Sequence, residues 1–329
     1  MSIKKEMKKI LPSVIVKEIK KMNKRRFLYK NYLNDLNGYS KYSGMWERSD
    51  EKQIKAKLIF YSHAIEKGLS HPNFRVRFGK RALNNLFHYL SKYNELNYNL
   101  NSMEYLNAIS VLKAYDDKHK NLNVPMPKFH KKFDRFKYDS APDVAGSDVL
   151  YLNKKNMSFS ELIFERHSVR EFDDSNVDLS KVKNSVEMAI RTPSVCNRQP
   201  WKVYLTNDSK RIKKLLELQG GFKGYTIPPV LSLVTVDLSS FISVTERNEP
   251  FVDGGMFVMS FLYALTDNGL ASCTLNTMRP VPVLDEIKSI MGISSSEVLI
   301  SFIAIGNYKK EYRVAKSHRK NINDIMITD

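Results

Sequence analysis

The chain has 329 residues, 42% hydrophobic and 27% charged, which is enough apolar material for real cores and enough length for two ordinary domains. That composition excludes wholesale disorder, and the longest apolar runs fall far short of a membrane-spanning helix. Two cysteines, Cys196 and Cys273, are too few for a disulfide framework or a structural zinc site, so with no signal-peptide pattern at the start a reducing cytoplasm is expected. The formal net charge is +18 and lopsided: residues 1–150 hold 30 Lys and Arg against 15 Asp and Glu, while the rest nearly balance. Such an excess fits an anionic membrane surface, a phosphorylated substrate, nucleic acid or simply a solvated lysine-rich surface. Nucleic acid is disfavoured, because no zinc, RRM-like or helix-turn-helix signature accompanies the charge.

In chain order, residues 1–30 carry 11 basic and 2 acidic side chains, with Ile10, Val14, Ile15, Ile19 and Met22 at helical spacing and Pro12 placed as a first-turn residue. This predicts a basic amphipathic helix, which can dock on its own domain or make weak contact with an anionic membrane surface. Residues 51–115 read as helical, broken only between Gly68 and Gly79. Within them His63, Glu66 and Lys67 fall at i, i+3 and i+4, hence on one helical face. That face is either a routine salt-bridged surface or one turned toward a substrate. Residues 1–140 are thus expected to form a basic, mainly helical region, and the Pro, Gly and Asp residues of 141–157 a surface-running linker.

From residue 158 to 329 helices alternate with short strands. Ser158 or Ser160 caps a helix running to about Arg166, and Leu179 to Arg191 reads as a second. Val203 to Thr206, Val230 to Val236, Leu270 to Leu275 and Val298 to Ile305 read as strands, and Leu284 to Met291 as a helix. Asp253 to Asn268 is a helix apolar almost all round and is expected to be buried, with Gly269 as its C-cap.

Four segments here carry chemistry. Arg166-His167-Ser168-Val169-Arg170 sits at a helix end and offers two guanidinium forks to an anion or a polar heterocycle. Pro193-Ser194-Val195-Cys196-Asn197-Arg198-Gln199-Pro200-Trp201 is a rigid, polar loop leading into a strand. Thr274-Leu275-Asn276 closes the strand that leaves the apolar helix, and Lys316 to Lys320 forms a basic cluster. In this order and spacing, residues 158–329 resemble the nitroreductase-like family of FMN-dependent oxidoreductases.

The resemblance implies an α+β fold, with a mostly antiparallel central sheet flanked by helices, and an obligate homodimer. It implies that Arg166, Ser168 and Arg170 contact the phosphate, ribityl chain and pyrimidine side of FMN, with His167 contributing mainly backbone. Ser194 and Asn197 would reach the flavin from the partner subunit. Thr274, Leu275 and Asn276 would line the isoalloxazine, and Lys316 and Arg319 would neutralise the phosphate. No side chain is implied as catalytic, because flavin N5 carries the chemistry between NADH or NADPH and a small-molecule acceptor, with ping-pong kinetics. Two alternatives stand beside this one: a flavin-dependent dehydrogenase or dehalogenase acting on a sugar-linked or aromatic substrate, and a degenerate flavin domain serving as a membrane-surface module.

Overall fold

The computed structural model describes residues 12–42, 51–136, 145–151, 157–241 and 244–328. Residues 1–11 of the expected basic helix, and 141–144 and 152–156 of the expected linker, lie outside the described residues. The first helix, α1 (Ser13–Tyr42), runs past the predicted end at residue 30 and turns Val14, Ile15, Ile19 and Met22 to solvent. Arg247 grips it near its C-terminal end through a bidentate pair with Asp35 at 2.7 and 2.8 Å.

Three helices build the first core: α2 (Glu51–Leu69), α3 (Lys80–Glu95) and α4 (Met103–Lys120), with the short α5 (Pro127–Phe133) closing it. Ile54, Leu58, Ile65, Leu86, Leu90, Ile109 and Leu112 recur at the helical period and are buried together with Tyr93 and Tyr115. Two polar groups in this core are bonded across it. The Tyr115 hydroxyl donates to the Phe78 carbonyl at 2.9 Å. His119, fully buried, accepts the Arg77 amide proton at Nε2, so its Nδ1 carries the hydrogen donated to the Tyr115 carbonyl. A second break, at residues 96–102, had no Gly or Pro to announce it. Asn97 ends α3 at φ 53°, the left-handed conformation that Asn tolerates in place of Gly.

The second part is α+β, as expected. Strands β2 (Trp201–Thr206), β3 (Val230–Asp237), β4 (Leu270–Asn276) and β5 (Glu297–Asn307) form an antiparallel sheet in the order β2-β3-β5-β4. β3 and the apolar stretch of β5 are buried on both faces, which is why both read as largely hydrophobic runs, interrupted by Ser232 and Thr235 in β3 and by Ser301 in β5. On one face lie α7 (Leu179–Ala189) and α9 (Glu249–Asp267), with Val182, Phe257, Phe261 and Leu265 packed on Val234, Ile303 and Ile305. On the other lie α8 (Ser209–Gln219) and α10 (Val281–Met291), contributing Ile212, Leu215 and Ile287. The short α6 (Phe159–Glu165) leads in.

Part of the expected linker is itself a packed element. Residues Ser147–Tyr151 form β1, paired antiparallel with β6 (Glu311–Ala315), and Ala145 just before it is buried against the helical core. This two-stranded ribbon packs on α2 and so joins the helical region to the sheet region. The helix α9 also differs from expectation. It buries one side, while Phe251, Val252 and Met256 remain exposed.

Candidate functional site

Ser158 opens the first functional segment with a reciprocal cap: its hydroxyl accepts the Glu161 amide, and the Glu161 carboxylate accepts the Ser158 amide. The helix α6 lasts only to Glu165, and Arg166 is already extended. The chain then passes along β4 to the end of β5. The Val169 amide donates to the Ser272 carbonyl at 2.9 Å, and the Asp173 amide to that of Asn307 at 3.0 Å. Val169 and Phe172 are buried, and Phe172 rests on Gly306, where a Cβ would meet its ring at 2.5 Å. This backbone pinning holds Arg166, Ser168 and Arg170 half-buried beside the strand. Arg170 spends one Nη1 proton on the Ser168 carbonyl at 3.3 Å. His167 is fixed by Nδ1, which donates to the Glu165 carbonyl at 2.8 Å. Neither Arg166 nor Arg170 has a carboxylate partner among the described residues.

The loop from Pro193 to Trp201 is braced by α9. Asp253, fully buried, accepts the Val195 amide on both carboxylate oxygens at 3.2 and 3.3 Å, and its carbonyl accepts the Trp201 indole at 2.9 Å. Trp201 stacks on Phe257 at 4.9 Å, and Arg198 pairs with Glu246 at 3.1 Å. Ser194 Oγ accepts the Gln199 amide at 2.9 Å, so this hydroxyl shapes the loop it belongs to. Cys196, Asn197 and Gln199 all take left-handed backbone at φ 50°, 52° and 47°. Three such non-glycine residues within four positions store strain that only the bracing around them sustains. Asp253 was not foreseen; the available signal was a lone acid inside an apolar helix. Asp253→Ala orphans the Val195 amide at a cost of about 1–3 kcal/mol. It is expected to lower the melting temperature and to make the loop the first site of limited proteolysis.

On β4, Thr274 Oγ1 meets Ser301 Oγ at 2.6 Å, Leu275 is buried, and the Asn276 carbonyl accepts from Gln219 at 3.1 Å. In the basic tail the Lys316 amide donates to the Gly146 carbonyl, and Lys316 Nζ lies 3.7 Å from Asp148. Ser317 is left-handed at φ 50°, and the exposed Arg319 donates to the Ser317 carbonyl at 2.7 Å. Arg166 and Arg170 are brought together with Cys273 on β4, whose thiol is pushed up by burial while Arg170, Lys67 and Arg166 pull it down. Ser194 and Asn197 are not brought to them. Among the described residues no hydrogen bond or ion pair connects that loop, or Arg319, to Arg166, Ser168 or Arg170.

The face of α2 is split. Glu66 turns inward, 2% exposed, and accepts the Gly146 amide at 3.4 Å and the Ser317 amide as well. Burial is the main cause that pushes its carboxyl above the usual 4.5, with the two amides and Lys316 pulling back. An acid whose folded pKa is raised binds its proton more tightly when folded, so stability falls as pH rises through and above 4.5. Glu66→Gln keeps an acceptor for the amides without the buried charge. Its melting temperature is expected to exceed the wild type's at pH 7, with the gap closing as the pH approaches 4.

Against known proteins, residues 163–222 match the family model described as the nitroreductase family. Human iodotyrosine deiodinase 1 is 23% identical over 206 residues, covering 53% of this chain and 70% of that protein. A protein of Archaeoglobus fulgidus with a provisional name as an NADH dehydrogenase/NAD(P)H nitroreductase is 22% identical over 152 residues, covering 46% and 86%. Among solved structures, a nitroreductase family protein from Streptococcus pneumoniae aligns over 52% of this chain and 100% of its own with 20% identity and a TM-score of 0.44. No helix among the described residues is long and apolar enough to cross a membrane, and no cluster of three His, Cys, Asp or Glu among them is arranged to hold a metal. The C-terminal half of this chain resembles the nitroreductase family, its residues 163–222 matching that family directly, and a helical region stands in front of it.

Proposed function

We propose that the C-terminal half is an FMN-dependent oxidoreductase that takes electrons from NADH or NADPH and delivers them to a small-molecule acceptor, the two substrates using one site in turn. The observation that carries this reading is the pair Arg166 and Arg170, pinned beside β4 through the Val169 amide and lacking any carboxylate partner among the described residues. Guanidiniums held in that way are suited to a phosphate and a polar ring edge, so the donor set fits FMN. The flavin, when bound, supplies hydride acceptance and electron transfer at N5. Arg166 and Arg319 hold the phosphate with Lys316 beside them, Ser168 meets the ribityl chain, and Arg170 donates to the pyrimidine side. His167 contributes backbone, and Thr274, Leu275 and Asn276 line the ring.

Ser194 and Asn197 reach the site from the second subunit of a homodimer in this reading, which accounts for their separation from Arg166 within one chain. The tests are an absorbance spectrum of the purified protein and anaerobic bleaching with NADH and with NADPH. Parallel double-reciprocal plots for donor and acceptor are the expected kinetic signature; intersecting lines contradict alternation at one site.

The similarity to iodotyrosine deiodinase 1 favours a second reading, reductive removal of halide from an aromatic substrate. Halide release in the same reduced-enzyme assay separates the two. The basic start of the chain is a further part of the proposal. With Val14, Ile15, Ile19 and Met22 exposed on α1, residues 1–30 give weak, salt-sensitive contact with anionic membrane surfaces. Co-sedimentation with anionic vesicles is expected at low salt and lost on deletion of residues 1–30, with none on neutral vesicles.

A further inference from the structure

The helical region has a cleft of its own, and none of the residues lining it belongs to the sheet region. The cleft, of about 640 Å³, opens between α3 and the segment from Pro125 to Phe129. That lies within the range of small-molecule sites, about 300–1,000 Å³. Its floor is apolar: Phe87, Tyr115, Met126 and Phe129 are buried, with Leu83 half-buried among them. The Tyr115 hydroxyl already donates to the Phe78 carbonyl, which leaves it no proton for a ligand. The rim is basic. Arg77, Lys80, Lys128 and Lys132 are exposed around the cleft, and no lining residue is acidic. Among the described residues none of the four pairs with a carboxylate.

The edges of the cleft are held in place. Arg77 is left-handed at φ 56°, a conformation uncommon outside Gly, Asn and Asp. Its amide donates to His119 Nε2 at 2.8 Å, and its Nη2 donates to the Pro125 carbonyl at 3.0 Å. These bonds tie the loop before α3 to the loop before α5. Lys132 Nζ donates to Asn84 Oδ1 at 3.0 Å and lies 5.8 Å from the centroid of the Phe87 ring. A second hollow of about 250 Å³ adjoins the first, sharing Asn84, Phe87 and Lys132 and reaching Ser91, Arg135 and Phe136. The residues that α3 gives to the two, Lys80, Leu83, Asn84, Phe87, His88 and Ser91, follow one helical face. From Lys80 to Ser91 that face is about 16 Å long at 1.5 Å per residue. The groove is therefore long and narrow, a shape for an extended hydrocarbon chain more than for a compact ring.

An apolar floor under an all-basic rim complements a molecule that is apolar along its length and negative at one end. Burying the chain supplies the hydrophobic gain, and the unpaired cations supply charge-assisted contacts to the head. We propose that this groove binds a single-chain amphipathic anion, an acyl or prenyl chain ending in a carboxylate or phosphate, with the chain on Phe87, Met126 and Phe129 and the head on the basic rim. The helical region is then a ligand-binding unit in its own right, and the inference stands or falls independently of the flavin reading.

The test uses the full-length protein and dansylundecanoate, a fluorescent fatty-acid analogue, held below its micelle concentration. Dodecanoate, dodecyl phosphate and inorganic phosphate serve as competitors. The wild type is expected to bind the probe saturably and to release it to both dodecyl anions but not to inorganic phosphate, and the stronger dodecyl competitor names the preferred head. The double change Lys128→Glu and Lys132→Glu should weaken the probe about tenfold or more, with the Gln pair between it and the wild type. Asn84→Trp, which puts a ring where the two hollows meet, should weaken the probe as well. Lys113→Glu, exposed on α4 and outside the groove, should leave it unchanged. Circular dichroism and melting curves establish that each variant is folded. No saturable binding to the wild type overturns the inference. Affinity unchanged by the double Glu change rejects the anionic head, and affinity unchanged by Asn84→Trp places the chain elsewhere, for instance on the exposed face of α1; either result overturns it. A loss in Lys113→Glu equal to that of the double change does so too, because the rim then acts only through net charge.

Discussion

Replacing both Arg166 and Arg319 by alanine is expected to strip the protein of FMN during purification. Each guanidinium offers a charge-assisted contact to phosphate worth roughly 1.5–3 kcal/mol, so each single change weakens FMN by about ten- to a hundred-fold. The two would act on one group, so the double loss need not be the product of the single ones. The fold should survive. Arg319 is exposed and, among the described residues, hydrogen-bonds the Ser317 carbonyl, while the Arg166 amide donates to the Leu162 carbonyl. Equilibrium titration followed by flavin fluorescence measures the effect, with circular dichroism and a melting curve as controls and riboflavin as the ligand lacking the phosphate. Riboflavin affinity that falls as far as FMN affinity would mean the arginines shape the pocket instead of binding phosphate. Unchanged FMN affinity would move the phosphate elsewhere.

What could be read ahead of the structure was local in its physics. β3 and β5 announced themselves because strands covered on both faces need β-branched and apolar residues at consecutive positions, as Val230 to Val236 and Val298 to Ile305 supply. The cap at Ser158 and the helix ending before Gly269 were equally local. The helix α8 went unread because only Ile212, Leu215, Leu216 and Leu218 break a run of charged residues, a narrow stripe that becomes visible once a sheet lies beneath it. β1 and β6 are five residues each and stabilise one another through pairing across more than 150 positions, which no local pattern encodes.

The candidate site divides along the same line. Arg166, Ser168, Arg170, Ser194 and Asn197 stand in recognisable strings, so their residue types and spacing alone singled them out. Asp253 braces its loop from 58 residues away, and the Tyr225 hydroxyl reaches the Lys67 carbonyl across the boundary between the two regions. His63, Glu66 and Lys67 were visible as one helical face. Which way that face turned was decided by Tyr225, Gly146 and Ser317, all far along the chain. Distance in sequence, and not weakness of the interaction, hid these contacts.

Substituting Met259 by Asp is expected to do the most damage of any single change outside the cofactor site, by destroying a homodimer. The helix α9 was expected to be buried all round, yet within one chain only Phe257, Phe261, Leu262 and Leu265 of its larger side chains are fully sheltered, with Val258 close behind. Phe251 is 57% exposed, Val252 50% and Met256 38%. Next to them Met259 and Tyr263 line an apolar cleft of about 670 Å³ with Met157, Phe159 and Met188. A continuous apolar face of this kind is normally an interface. A stable homodimer buries roughly 2,000 Å² or more in total, which a 19-residue helix and the flanking α6 and α7 surfaces are long enough to supply. Light scattering at micromolar concentration should therefore give twice the chain mass for the wild type. A carboxylate at position 259 would have to be desolvated at the centre of that contact, so the variant is expected to appear as monomer and aggregate. Its FMN content should fall as well, because Ser194 and Asn197 reach the flavin only across the interface in the reading above. A gentler change, Met256→Lys at the exposed margin, guards against misreading a folding defect: it should lower the dimer fraction with the helical signal intact. A wild-type monomer that retains stoichiometric FMN would contradict both the interface and the cross-subunit site.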